Sequence, residues 1–266
     1  MNVLSLFDGM SCGQLALQKA GIAYDKYFAS EVDKYAIKVT QANFPDTIQL
    51  GDIRNITADR VGKIDLLIGG SPCQGFSFAG NQLAFDHPQS VLFFEYARLL
   101  KELKPKYFLL ENVRMKKKFL DVITDILKVE PIFIDSALVS AQSRKRYYWT
   151  NIPDVLQPED QGILLEDIIE NGIVDRDKAH CIDANYFRGG NLKCYFEKYR
   201  RQLVFNFTYN KCKTISYRKL SPVECERLQT VPDNYTNHVS NTQRYKMLGN
   251  GWTVNVIAHI FGGIRK

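Results

Sequence analysis

Short apolar runs alternate along this chain with stretches in which apolar residues recur every three or four positions, the two periods of buried strands and amphipathic helices. Val3-Leu4-Ser5-Leu6-Phe7 predicts a buried strand, residues 8–13 a turn, and residues 14–20 a helix stopped by Gly21. Tyr27-Phe28-Ala29-Ser30 predicts a second strand, followed by a helix over 33–43. Another strand, Ile64-Asp65-Leu66-Leu67-Ile68, runs into the turn Gly69-Gly70-Ser71-Pro72-Cys73. A helix over 90–103 and one ending at Lys128 alternate with strands at 107–110 and 132–134, and Tyr147-Tyr148-Trp149-Thr150 is strand-like. This order implies an α/β, Rossmann-like fold with a mostly parallel sheet and helices on both faces. From Ile152 to Lys213 the alternation fades into a region rich in Asn, Asp, Lys and aromatic residues, read as a small second lobe. Ser221-Pro222-Val223-Glu224 has the form of a capping box opening a short helix, and Leu248-Gly249-Asn250-Gly251-Trp252 precedes a last apolar helix over 253–261.

Composition narrows the class. The 266 residues, 45% hydrophobic and 24% charged, suffice for one main domain with a small appendage. No window approaches the roughly 18 apolar residues of a membrane span, and the start has no basic leader, so a soluble cytoplasmic protein is expected. The six cysteines lie far apart without a Cys-x-x-Cys pair, which suggests free thiols and no zinc site. The net charge of +6 is modest, but basic runs at 114–118, 144–146, 198–201 and 211–213 permit a polyanionic partner.

Candidate chemistry collects at the predicted strand ends. Phe7-Asp8-Gly9 opens a strand, glycine turn and helix unit that lets backbone approach a ligand, although such units are common. Glu31 at the end of the second strand is placed to hold ribose hydroxyls, or equally to sit as a carboxylate at a helix start. Asp52 can accept from an adenine amino group while Ile53 packs on the ring; taken alone, Asp52 reads as a turn residue. Together they point to an adenosyl-type cofactor. Cys73 would be held at a strand's carboxyl end as a nucleophile, whereas most lone cysteines are small buried residues. Glu111 ends the strand at 107–110, and Arg144 and Arg146 alternate along an extended segment suited to a phosphate or a base carbonyl. Residues 74–89 read as a loop over the site, and Arg188, Lys193, Tyr195, Arg200 and Arg201 interleave basic and aromatic groups as nucleic-acid surfaces do.

Taken in order, these blocks resemble the cytosine-C5 DNA methyltransferase family: Phe7-Asp8-Gly9, Glu31, Gly51-Asp52-Ile53, Gly70-Ser71-Pro72-Cys73-Gln74, Glu111-Asn112-Val113, Gln142-Ser143-Arg144-Lys145-Arg146, Arg218-Lys219-Leu220-Ser221-Pro222 with Glu224, and Gly249-Asn250. Phe7-Asp8-Gly9, Leu92-Phe93-Phe94-Glu95, Val139-Ser140-Ala141 and residues 235–244 are similar to the animal de novo type. Ser11-Cys12 and Val32 stand where many members carry Gly-Gly and a tryptophan.

The resemblance implies an S-adenosylmethionine-dependent methyltransferase fold with a catalytic domain at 1–153, a short target-recognition domain at 154–242, and a C-terminal helix at 243–266 returning to the catalytic domain. It implies Cys73, Glu111, Arg144 and Arg146 as catalytic residues. Cofactor contacts would come from Phe7, Asp8, Gly9, Ser11, Glu31, Val32, Asp52, Ile53, Pro72, Asn250 and Trp252. DNA contacts would come from Gln74, Ser77, Arg188, Lys193, Arg200 and Arg201. The implied partner is double-stranded DNA, with no metal and no membrane, in the cytoplasm of a bacterial or phage-infected cell and on the nucleoid. A homo-oligomer is compatible with the sequence, and restriction-modification, phage self-modification and gene regulation would all use this core. Two alternatives stay open: the same chemistry on transfer RNA, and a catalytically silent accessory subunit.

Overall fold

The computed structural model describes residues 1–72, 91–207 and 215–265, and its central strand is β1 (Asn2–Leu6). β1 pairs in parallel with β2 (Lys26–Ser30) on one side and β4 (Leu66–Gly70) on the other. β3 (Ile48–Gln49) extends the first side, and β5 (Tyr107–Val113) the second, again in parallel. β6 (Ile132–Asp135) and β8 (Lys145–Thr150) complete a seven-stranded sheet in the order β3-β2-β1-β4-β5-β8-β6. β8 runs antiparallel to β5. Asn151, just past β8, accepts a hydrogen bond from the Phe108 amide (2.8 Å) and donates to the Lys106 carbonyl (2.9 Å).

Helices connect the parallel strands, as right-handed crossovers require. α1 (Cys12–Ala20) ends at Gly21, whose φ of 60° few other residues adopt without strain. α2 (Lys34–Asn43) is capped by Asp33, which accepts from the Tyr35 amide at 2.9 Å. After the short α3 (Ala58–Val61) come α4 (Val91–Leu103) and α5 (Lys117–Leu127). α5 buries Phe119, Ile123 and Leu127, one stripe at a spacing of four. The apolar core includes Leu4, Leu6, Phe28, Leu67, Phe93, Tyr96, Leu110 and Trp149. The continuous apolar runs of β1, β4 and β5 are buried on both faces, as strands of a parallel sheet covered on both sides are.

The chain divides into two compact units, residues 1–134 with 145–157 and 258–266, and residues 135–144 with 158–257. The second unit contains β7 (Gln142–Ser143) paired in parallel with β9 (Ala179–His180), and the antiparallel β10 (Leu203–Phe207) and β11 (Ile215–Lys219). Its helices are α6 (Leu192–Phe196), α7 (Pro222–Leu228) and α8 (Asn241–Asn250), and α9 (Val254–Phe261) begins in it. The capping box forms at α7: Ser221 Oγ accepts from the Glu224 amide and Glu224 Oε2 from the Ser221 amide.

Candidate active site

The carboxyl ends of β1, β2 and β3 build one continuous edge. Past β1, Phe7, Gly9 and Ser11 hold φ values of 59°, 60° and 63°, so every second residue of this turn is left-handed. Two of the three are not glycine, and such strain concentrates at functional positions. The Gly9 amide donates to Glu31 Oε2 (2.8 Å), while Glu31 Oε1 accepts from the Val32 and Asp33 amides (2.7 and 2.8 Å). Ser30 Oγ donates to the Gly51 carbonyl at 2.8 Å, which ties the next strand end to the same edge. Asp52 accepts from the Arg54 amide and its guanidinium, and those bonds hold its carboxyl down at about 2. Ile53 is buried, whereas Val32 is 71% exposed, an apolar side chain standing in solvent beside Glu31.

Asp8 turns inward. Tyr27 donates to its Oδ1 at 2.8 Å, while Oδ2 is buried with no hydrogen-bond partner among the described residues. Burial, helped by the nearby Glu31 charge, pushes the Asp8 carboxyl up to about 6. Ser11 Oγ accepts from Gln14 Nε2 (2.8 Å), which also donates to Thr47. Tyr27 and Gln14, the supports of this turn, carried no sequence signal beyond that of ordinary core residues.

At the end of β4, Ser71 is buried and Pro72 half-buried. Asn112 Nδ2 donates to Ser71 Oγ at 3.0 Å, so β5 fixes the base of the turn that leads to Cys73. Cys73, Gln74 and Ser77 lie outside the described residues. Two residues before the end of β5, Glu111 is 9% exposed, and its Oε1 lies 2.8 Å from Arg146 Nε on β8. A cation and a carboxylate are thus paired with little water around them.

In the second unit, Arg144 is 4% exposed. Its Nη1 donates to the Ile182 carbonyl (3.1 Å) and Cys181 Sγ (3.2 Å), and its Nη2 to the carbonyls of Gly249 (3.2 Å) and Gly251 (2.8 Å). Asn250 is exposed and Trp252 half-buried. Arg188, Lys193 and Arg200 are exposed. Arg188 lies over the Phe187 ring, Lys193 is 3.9 Å from Glu197, and Arg200 and Arg201 share Asp183 (2.8 and 3.7 Å). Among the described residues no cluster of His, Cys, Asp or Glu could hold a metal ion, Cys12, Cys181, Cys194 and Cys225 are free thiols, and no helix is long and apolar enough to cross a membrane.

The chain is similar to known proteins. It is 32% identical to the type II methyltransferase M1.ScrFI of Lactococcus lactis subsp. cremoris over 96% of its own length and 75% of that protein's. Over 65% of its own length it is 34% identical to the orphan methyltransferase M.SPRI of Bacillus phage SPR, of which it spans 43%. Among solved structures, Spodoptera frugiperda DNMT2 (TM-score 0.75, 22% identity) and Entamoeba histolytica EhMeth (TM-score 0.77, 16% identity) share the fold over 100% of this chain and 99% of theirs. The profile of C-5 cytosine-specific DNA methylases matches residues 1–152 and 140–266, and the chain belongs to that family.

Proposed function

We propose that this chain methylates carbon 5 of cytosine in double-stranded DNA, with S-adenosylmethionine as methyl donor and Cys73 as nucleophile. What supports the reading is the pairing of buried Glu111 with half-buried Arg146 at the end of the strand beside the one that leads to Pro72 and Cys73. The first unit's edge fits a nucleoside. A Cβ built at Gly9 or Gly51 meets open space, so ligand can approach the backbone there, and Glu31 and Asp52 offer acceptors beside the exposed Val32. When bound, S-adenosylmethionine supplies a methyl group activated by its sulfonium.

Cytosine carbon 5 is a poor nucleophile. Attack of the Cys73 thiolate on carbon 6 forms a carbon–sulfur bond and pushes the ring electrons toward carbon 5. Glu111 holds ring nitrogen 3, where a proton offsets the developing charge, and Arg146 fixes Glu111 and faces the base carbonyl. After carbon 5 has gained its methyl group, loss of its proton to a base, relayed by water, expels the thiolate and restores the ring. The base must leave the duplex stack for this attack, and Gln74 and Ser77 follow Cys73 in the segment that would fill the gap. Arg188, Lys193, Arg200 and Arg201 exchange their present partners for DNA phosphates, and Asn250 and Trp252 contact the cofactor. The setting is the cytoplasm of a bacterial or phage-infected cell.

Bisulfite sequencing of a plasmid carrying this gene, in a host without other cytosine methylation, tests the reading. Protection of cytosines in one fixed context is expected, and Cys73→Ser abolishes both protection and covalent trapping on a 5-fluorocytosine duplex. Unprotected DNA from a folded, cofactor-binding protein refutes it.

A further inference from the structure

The turn carrying Asn250 and Trp252 is held by side chains from two other segments. The last carbonyls of α8 have no helical partners of their own, as at any helix C-terminus. Here Gln229 Nε2 donates to the Leu248 carbonyl (2.6 Å) and to that of Gly251 (3.0 Å). Arg144 Nη2 takes the carbonyls of Gly249 and Gly251. Gln229 is itself fixed, because its Oε1 accepts from Gln142 Nε2 and Thr253 Oγ1, both at 3.0 Å. Gln142 and Gln229 are fully buried, and none of the ion pairs among the described residues involves Arg144. Burying a guanidinium against carbonyls is costly compared with an apolar filler, so the arrangement has geometric rather than energetic value. A cation beside these carbonyls also complements the negative end of the α8 dipole.

We propose that Arg144 and Gln229 are positioning residues: they cap α8 so that Asn250 and Trp252 are presented to the cofactor, and neither touches the cytosine. This assignment rests on the proposed cofactor role of Asn250 and Trp252. It separates the two arginines of the Gln142–Arg146 segment, Arg146 acting beside Glu111 and Arg144 on the turn after α8.

The test uses Arg144→Lys and Gln229→Met in the full chain, with S-adenosylmethionine affinity measured by calorimetry and kcat measured at saturating cofactor. Affinity is expected to fall about fivefold or more with kcat within about threefold of the parent. A kcat loss of about tenfold or more with affinity within about twofold overturns the proposal and places Arg144 on the cytosine. Parent values for both quantities overturn it too. Asn250→Ala separates the two layers: if it leaves affinity within about twofold, the cofactor reading of this turn fails, and if it alone weakens binding, only the positioning role fails. Should the first two variants not fold, Thr253→Val removes one donor to Gln229 and keeps the volume. It is expected to raise KM for the cofactor about twofold to threefold, and an unchanged KM overturns the proposal.

Discussion

Arg146 sits opposite Val113 in the β5–β8 register, so it reaches Glu111 along the diagonal of an antiparallel pair, on the same face of the sheet. Arg146 Nη1 also donates to the carbonyl of its neighbour Lys145 (2.9 Å). The contact with Glu111 exists because β8 reverses direction.

Breaking that contact is expected to separate chemistry from folding. Glu111→Gln keeps the shape and should lower the single-turnover rate of methyl transfer by about 10²- to 10⁴-fold. Arg146→Leu should do the same and also destabilise the fold by about 3 kcal/mol, because it strands a carboxylate in a poorly hydrated place. Rapid-quench transfer assays and urea melts measure the two effects, and parental single-turnover rates in both variants would remove the pair from the mechanism.

The inward carboxyl of Asp8 makes stability depend on pH. The folded chain keeps this proton up to about 6, whereas an unfolded chain releases it near 4. Between those values the native state binds more protons, so stability falls as pH rises, by about 3 kcal/mol in all. Asp8→Asn should lose this slope and be the more stable protein above pH 6. Denaturation midpoints of both proteins from pH 4 to 7.5 check the sign, and parallel curves would count against it.

Tyr96 is fully buried, and its hydroxyl has no hydrogen-bond partner among the described residues. An unsatisfied buried hydroxyl costs stability, so Tyr96→Phe should match the parent or exceed it by about 1 kcal/mol. A loss of stability in calorimetry would mean that the hydroxyl has a partner.

Two glycines should respond oppositely to alanine. A Cβ on Gly249 would lie 2.2–2.4 Å from backbone atoms of Asp183 and Ala184, which cannot swing away as a side chain can. Gly249→Ala should cost about 2 kcal/mol or more. At Gly262 a Cβ meets nothing within 4 Å, so Gly262→Ala should be neutral or stabilising by up to about 1 kcal/mol. Thermal melts of the two variants decide, and equal effects would contradict the packing at Asp183.

Local pattern carried much of the fold. The strand at residues 107–110, the helix stopped by Gly21 and the Ser221–Glu224 box each repeat a short-range rule, and each forms. The polar helix Asn241–Asn250 was hidden because its run of Asn, Thr, Gln, Arg and Lys shows no apolar stripe. The direction of β8 was equally hidden, since alternation along a strand is the same read either way. The site was legible as residue types at strand ends. Its supports were not: Gln229 ends a helix and Tyr27 lies in a buried strand, and their partners are remote in sequence.

β8 also serves as a ruler. Asn151 pins one end to the Phe108 amide and the Lys106 carbonyl, and Arg146 must meet Glu111 at the other. At about 3.4 Å per residue the intervening span is about 17 Å. One inserted residue would turn the guanidinium to the opposite face, and two would carry it about 7 Å past its carboxylate. In this stretch the number of residues matters as much as their identity.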